Sequence, residues 1–225
     1  MDDLRSRVYG VLALGFRRPI PAQVEVLAGG ATRQLLSDLA HALPIRWPDE
    51  QGLFGRFRED VESRGAGPVA AELLMEYCRL FLGPGGVPCP PYGSVYLDGG
   101  CVMGPSTFDA RSRYQSAGLK CRASWKEPPD HICVELDFMA RLSGACSPAA
   151  GRDVDVEAAR LLRIQAEFLR HHLGRWGPLF AERLGEAAAL HLYRFLSDFL
   201  PHWLSLDDEL LRATMAEMKV RAECR

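Results

Sequence analysis

The segment EPPDHICVELDFMARL, residues 127–142, holds the densest group of side chains in the sequence that could do chemistry. Its His131 and Glu135 are four residues apart, so on a helix they share one face and could serve as a general base or as two metal ligands. A metal site needs more ligands than these two. Asp130 precedes the helix, where a carboxylate caps free amides and is favoured by the helix dipole. The sequence favours this capping role over a metal site.

The remaining sequence carries no familiar enzyme motif: it has no phosphate-binding GxxxxGK loop, no dinucleotide-binding GxGxxG, no GxSxG elbow, no HExxH and no calcium loop. The turn at residues 83–86 is rich in glycine, but its proline removes an amide donor and it follows a helix rather than a strand. We interpret it as a helix stop, with a GTP site there as the alternative. His171 and His172 are adjacent, so on a helix they point apart, and we expect one surface histidine and one at the edge of the core.

The composition excludes several classes of protein. The chain has 225 residues, of which 48% are hydrophobic and 25% charged, and a formal net charge of -2, which argues against a nucleic-acid binder. No stretch is long and apolar enough for stable membrane insertion. The seven cysteines form no CxxC pair, which predicts free thiols in a reducing cytoplasm and no zinc site.

The elements that must position these side chains are helices. The apolar residues from 8 to 16 precede Arg17, Arg18 and Pro19 rather than a cleavage site, so they predict an amphipathic first helix and not a signal peptide. Capping boxes at Ser106 and Ser205 predict two helix starts. Other helices are predicted over 22–28, 32–42, 53–63, 68–82, 106–118, 132–142 and 154–218, with breaks at 44–48 and at 174–178 and a bend or break at Pro201.

No alternating strand pattern and no internal repeat occur, so the fold class predicted is all-α: a single helical bundle over residues 1–225 with a long proline-rich central loop. A division into two lobes, 1–119 and 127–225, joined by a hinge at 120–126, stays open as an alternative, and such a hinge would permit a domain-swapped dimer.

The central loop GPGGVPCPPYGSVYLD, residues 83–98, contains four prolines and four glycines together with large apolar side chains. Proline restricts the backbone and lowers the entropy lost on ordering, so Tyr92, Val95 and Tyr96 are held in place at modest cost. Such a loop either wedges between helices as core or forms one wall of a groove for a peptide. The residues alone leave both interpretations open.

Three motifs in this order, EYCRLFLGPGGVPCPPYGSVYLD, MGPSTFDARSRYQSAGL and EPPDHICVELDFMARL, closely resemble the TorD/DmsD family of cytoplasmic redox-enzyme maturation chaperones. The resemblance spans residues 76–142 and continues weakly through HLGRWGPLF. Gly85 and Tyr92 stand where many members of the family carry tryptophan.

The resemblance implies an all-helical cytoplasmic chaperone that is not an enzyme and needs no cofactor. Such a protein binds the twin-arginine signal peptide and the apo form of a molybdenum-cofactor oxidoreductase, and holds the precursor until cofactor insertion and release to the twin-arginine translocase. Two alternatives are kept: a helical GTP-binding protein, and a purely structural helical assembly subunit. The resemblance does not imply which molybdenum-cofactor oxidoreductase is the client.

The resemblance also implies which residues form the signal-peptide site. An arginine pair needs carboxylates next to an apolar groove, and Asp98, Glu135 and Asp137 are further candidates for pairing with the arginines. The implied signal-peptide site comprises Tyr77, Leu80, Phe81, Pro91, Tyr92, Ser94, Gly104, Pro128, Asp130 and His131.

Overall fold

The computed structural model describes residues 2–42, 52–83, 86–122, 125–145 and 152–223. Within these ranges the secondary structure is helical apart from one isolated bridge, which confirms the all-α prediction. None of these helices is both long enough and apolar enough to cross a membrane. The helices are α1 (Asp2–Gly15), α2 (Pro21–Ala28), α3 (Gly30–Ala42), α4 (Leu53–Arg64), α5 (Ala66–Tyr77), α6 (Gly93–Leu97), α7 (Pro105–Ser116), α8 (Ile132–Ala145), α9 (Arg152–Phe168), α10 (Gly174–Ala187) and α11 (His191–Glu223).

Helix α1 lies in the core and packs mainly against α8, while α10 packs along α11. The spacing of Val8, Leu12 and Phe16 puts them on one face, and all three are buried, which confirms the predicted amphipathic first helix. Two tryptophans are fully buried: Trp176 of α10 packs against Phe180, and Trp203 of α11 packs against Tyr9 of α1. Aromatic side chains of this size bury a large apolar area and so dominate the energetics of the core.

The predicted break at 174–178 is wrong, and of the bend or break predicted at Pro201 the structure shows no break. Helix α9 continues through one π-helical turn, Leu169–Leu173, into α10, so residues 174–178 are helical even though they contain Pro178. Helix α11 likewise runs through Pro201. A proline inside a helix costs about 3 kcal/mol, and buried residues on both sides of Pro201, including Leu200 and Trp203, supply packing that offsets it. The predicted break at 44–48 lies outside the described residues.

The two predicted capping boxes are also wrong. Helix α7 begins at Pro105, with Gly104 as the N-cap residue. The side chain that accepts hydrogen bonds from its first turn belongs to a residue outside the helix, Asp98. The carboxylate of Asp98 accepts hydrogen bonds from the Ser106 backbone amide, at 2.9 Å, and from the Ser106 hydroxyl. A Cβ atom at Gly104 would collide with this carboxylate, so glycine is required there for a close approach. Ser205 lies inside α11 and starts no helix.

A buried polar network joins α1 to α8, α9 and α11. The guanidinium of Arg5 donates to Asp207 at 2.5 and 3.0 Å and to Gln165 at 2.8 Å, and the hydroxyl of Tyr9 donates to Asp207 at 2.6 Å. Ser143 donates to Gln165 at 2.9 Å. Burial and the nearby Asp207 charge raise the pKa of Tyr9, which stays a hydrogen-bond donor. The network fixes the first and last helices against each other.

Candidate functional site

The central loop is joined to the start of α8 by backbone hydrogen bonds. The Gly93 amide donates to the Asp130 carbonyl at 2.9 Å, and the Ile132 amide donates to the Pro91 carbonyl at 2.8 Å. Tyr92 and His131 form the isolated antiparallel bridge between these bonds. We call residues 91–94 and 130–132 the loop–helix joint. It brings together five predicted signal-peptide residues, Pro91, Tyr92, Ser94, Asp130 and His131.

Asp130 caps a helix, but not the one predicted. Its side chain is 0% exposed, and its Oδ2 atom accepts a hydrogen bond from the Ser94 amide at 2.8 Å, in the first turn of α6. The expectation that it caps its own helix, α8, is therefore wrong. The Oδ1 atom is buried and has no hydrogen-bond partner among the described residues. A buried carboxylate oxygen without a partner in the chain is costly, so this oxygen favours an additional hydrogen-bond donor.

His131 caps α8 in place of Asp130. Its Nδ1 atom accepts a hydrogen bond from the Cys133 amide at 3.2 Å, and its ring packs edge-on against Tyr92 and Trp125, with ring centroids 5.4 and 5.5 Å apart. Burial lowers the pKa of His131 to about 3, so the ring is neutral at physiological pH. A neutral ring with Nδ1 as acceptor holds the start of α8 and is not free to take up a proton as a general base.

The depressed pKa of His131 predicts a pH-dependent stability. Between its ordinary value of 6.5 and about 3 the unfolded chain binds a proton at this residue that the folded chain does not. The contribution of neutral His131 is complete above pH 6.5 and falls by about 1.4 kcal/mol per pH unit below it. In His131→Asn the amide oxygen can still accept from Cys133, but the side chain does not titrate.

Urea unfolding of both proteins at pH 7.5 and pH 5 measures the effect. We expect the wild type to lose about 2 kcal/mol more than His131→Asn over this interval. Equal losses in the two proteins would show that His131 is accessible to protons in the folded state.

Glu127 is an exposed carboxylate at the joint that sequence reasoning did not single out. The Tyr92 hydroxyl donates to its Oε2 atom at 2.7 Å. Burial, and then the hydrogen bond to Glu127, raise the pKa of Tyr92. Pro128 is half-buried beside it. The sequence did offer one signal for Glu127: it is the first residue of the motif that contains Asp130 and His131.

The three other predicted arginine partners already have partners within the chain. Glu135 is fully buried, with Oε1 2.8 Å from Nε2 of His172 and Oε2 accepting from the Trp176 ring N–H at 3.0 Å. Burial raises the pKa of Glu135, although its two partners act in the opposite direction. Asp137 pairs with Arg141 at 2.8 Å. Asp98 caps α7, as described above. Since Glu135 and His131 are bonded to different groups, they do not form the general-base or metal pair considered from the sequence.

His171 and His172 differ as expected, because His171 is exposed and His172 is buried. No group of three or more His, Cys, Asp or Glu side chains in the described ranges is arranged to hold a metal ion. The five cysteines in these ranges are free thiols. Pro84 and Gly85, in the turn considered for GTP, lie outside the described residues, as does the centre of the proposed hinge.

The predicted apolar wall, at the end of α5 and in the π-helical turn Cys78–Leu82 that follows it, belongs to the core. Tyr77, Leu80 and Phe81 are all buried, and the rings of Tyr77 and Phe81 are 4.9 Å apart at their centroids. The central loop packs on this layer through the Cys89 amide, which donates to the Leu80 carbonyl at 3.1 Å, and through Tyr96, which stacks on Trp176. The interpretation of the loop as a wedge between helices is confirmed for these residues.

Two adjoining cavities lie beside the joint. The smaller, of about 280 Å³, is lined by Glu127 and Pro129, next to Asp130. The larger, of about 510 Å³, shares Tyr114 and Trp125 with it and extends along α8. Tyr92 and Asp130 themselves do not line either cavity. The accessible concave surface is thus displaced from the joint towards Trp125.

Comparison with known proteins gives consistent matches over most of the chain. Residues 31–182 match the family model described as nitrate reductase delta subunit. The chaperone protein TorD of Vibrio cholerae is 27% identical over 223 residues, which cover 95% of this chain and 96% of that protein. The chaperone protein TorD of Shewanella amazonensis is 30% identical over 229 residues, covering 92% and 84%.

A solved structure shares the fold. A protein from Archaeoglobus fulgidus assigned to redox enzyme maturation superposes with a TM-score of 0.54 at 21% identity, covering 89% of this chain and 93% of that one. At this level of identity the likeness concerns the arrangement of the helices.

Proposed function

The chain belongs to the nitrate reductase delta subunit family, the family of the TorD/DmsD-type chaperones that its motifs resemble, and we propose that it is a maturation chaperone for a molybdenum-cofactor oxidoreductase. The relatives named above are chaperones, in agreement with the prediction that the chain is not an enzyme. In this proposal the protein acts in the cytoplasm, where it binds the twin-arginine signal peptide and the apo form of its client. It holds the precursor until the cofactor is inserted and then releases it to the twin-arginine translocase.

The observation that best supports peptide binding is the pair of carboxylates at the loop–helix joint. A twin-arginine peptide presents two guanidinium groups, each of which can take a bidentate carboxylate. Glu127 offers an exposed carboxylate that is held by the Tyr92 hydroxyl. Asp130, three residues later, has a carboxylate oxygen that lacks a partner within the described chain. Two anionic groups beside a rigid aromatic loop match two neighbouring arginines.

The two carboxylates would be engaged differently. Glu127 is exposed and can pair with an arginine at the surface. The Oδ1 atom of Asp130 is shielded from solvent, so an arginine that reaches it must displace the side chains that cover it. The gain is a charge-assisted hydrogen bond to an oxygen that is otherwise unsatisfied, of about 1.5–3 kcal/mol. Binding at Asp130 would therefore be coupled to a rearrangement of the joint.

An exposed apolar turn follows α6 and could receive the apolar segment of the peptide. Val102, Met103 and Phe108 are each more than half exposed, between the end of α6 and the first turns of α7. Large apolar side chains clustered at a surface indicate an interaction site. The short helix α6 connects this turn to the joint, so one extended peptide could contact both.

Calorimetry with synthetic leader peptides tests the proposal. One peptide carries two consecutive arginines followed by an apolar segment, and its matched control carries two lysines. Because lysine cannot form the bidentate pair, we expect the arginine peptide to bind at least ~10-fold more tightly. Equal, weak binding of the two peptides would count against recognition of the arginine pair.

A further inference from the structure

The larger cavity beside Trp125 is rich in positive charge. It has a volume of about 510 Å³ and lies between the end of α1, the segment after α7 and one flank of α8. Four cationic side chains line it, with a single carboxylate, from Asp137, among them. The cationic residues are Arg17, Lys120, Arg122 and Arg141.

The positive charge is only partly neutralised within the chain. Asp137 pairs with Arg141 at 2.8 Å and lies 3.8 Å from a terminal nitrogen of Arg17. Lys120 and Arg122 form no ion pair with any of the described residues. A cavity with apolar walls concentrates the field of such charges and favours an anionic occupant.

Two buried donors of the lining lack acceptors. The Nε atom of Arg17 and the indole Nε1 atom of Trp125 are buried and make no hydrogen bond within the described ranges. Both residues line the cavity. Buried donors are nearly always paired in folded proteins, and an unpaired one costs about 1–3 kcal/mol. Two such donors in one basic cavity indicate that an acceptor group is bound there in another state.

The rest of the lining is apolar. It contains three aromatic side chains, together with Leu119, Val134 and the buried thiol of Cys133. Burial raises the pKa of this thiol to about 12, so the thiol is neutral and contributes no negative charge. The aromatic residues are Tyr114, Trp125 and Phe138. The volume lies within the range of about 300–1,000 Å³ that is usual for ligand sites.

We propose that this cavity binds an acidic segment of a polypeptide, in which a carboxylate side chain lies next to an apolar one. The carboxylate accepts hydrogen bonds from Arg17, Arg122 and the Trp125 indole, and the apolar side chain packs against Tyr114 and Phe138. The cavity requires a negatively charged ligand, whereas a twin-arginine peptide is positively charged. The cavity is thus a second contact for a protein partner, and its existence does not depend on the proposed function.

The lining favours a peptide over a free phosphate or nucleotide. Phosphate sites commonly use free backbone amides at a helix N-terminus, whereas the Ile132 and Cys133 amides in the first turn of α8 already donate to the Pro91 carbonyl and to Nδ1 of His131. Asp137 lies in the lining and would repel a group that carries two negative charges. Half of the lining is apolar, and a phosphate has no apolar group to pack against it.

Calorimetry with short acidic peptides tests this inference. The first probe is a capped peptide with glutamate and aspartate flanking a phenylalanine, and the second is the same peptide with glutamine and asparagine. We expect the acidic peptide to bind at least ~10-fold more tightly and to weaken as salt is raised towards ~0.5 M. Inorganic phosphate and GTP are titrated in parallel.

Charge-removing variants locate the site. Arg17→Gln and Arg122→Gln are each expected to weaken the acidic peptide about 10-fold. Arg33→Gln, on the exposed face of α3, is the matched control and is expected to have no effect. Twin-arginine peptide binding is measured on the same variants and should not change, so failure of one proposal is distinguishable from failure of the other.

Three results would overturn the assignment. They are no binding of the acidic peptide, equal binding of the acidic and amide peptides, and unchanged affinity in both arginine variants. Binding of phosphate or GTP that equals the acidic peptide in strength and depends on Arg122 would reassign the cavity to a phosphate ligand.

Discussion

Replacing Asp207 with asparagine is expected to lower the free energy of unfolding by about 3–5 kcal/mol. The carboxylate is 0% exposed and accepts hydrogen bonds from Arg5 and from Tyr9. An amide of the same size has no charge, so the buried Arg5 guanidinium would lose the counter-charge that Asp207 supplies. Urea unfolding followed by circular dichroism measures the change.

The neighbouring Asp208→Asn is the control for this prediction. Asp208 is partly buried, but its partners Arg212 and Arg170 are exposed, and an ion pair with exposed partners contributes about 0–1 kcal/mol. A similar small loss in both variants would show that the buried network adjusts without its charge, for example by admitting water. A large loss in Asp207→Asn alone would confirm that the network holds the two terminal helices together.

Asp130→Asn is expected to weaken binding of a twin-arginine peptide by about 10- to 100-fold while changing stability little. The asparagine oxygen can still accept from the Ser94 amide, so the cap of α6 is kept. What is lost is the negative charge at the unpartnered oxygen, where the proposed arginine would bind. Calorimetry gives the affinity, and urea unfolding gives the stability of the same protein.

Two further variants separate charge from structure at this position. Asp130→Ala removes the cap as well and should reduce both stability and affinity, with about 1 kcal/mol lost from the cap. Asp137→Asn removes a carboxylate of α8 that pairs with Arg141, away from the joint, and should leave peptide affinity unchanged. If Asp130→Asn binds the peptide as the wild type does, Asp130 has only its structural role.

The same residues in the joint serve folding and, in our proposal, recognition. Asp130 and His131 each cap a different helix, and Tyr92 packs against His131 and donates to Glu127. A peptide that disturbs one of these contacts would therefore affect the N-terminal ends of both α6 and α8. In our proposal this arrangement would couple leader binding to a change in the surface around Trp125, whose ring packs against His131 and lines the larger cavity.

The sequence by itself determined the features that depend on neighbouring residues. Helical periodicity is a property of positions three and four apart, so α1 could be predicted from Val8, Leu12 and Phe16. The motifs around the central loop identified the family, because their order and spacing are carried by the chain itself. The same motifs placed Tyr92 and His131 in one candidate site, and the structure brings these two residues into contact.

Only the tertiary structure decided which partner each polar group would find. Asp130 caps α6 rather than α8, which local patterns suggested, and Asp98 caps α7 in place of the predicted capping box at Ser106. Arg5 pairs with Asp207, 202 positions away. A pattern of neighbours cannot specify such pairs, because a carboxylate satisfies any nearby donor that packing presents to it. The continuation of α11 through Pro201 has the same cause, since contacts on both sides of the proline outweigh the local cost of the missing amide.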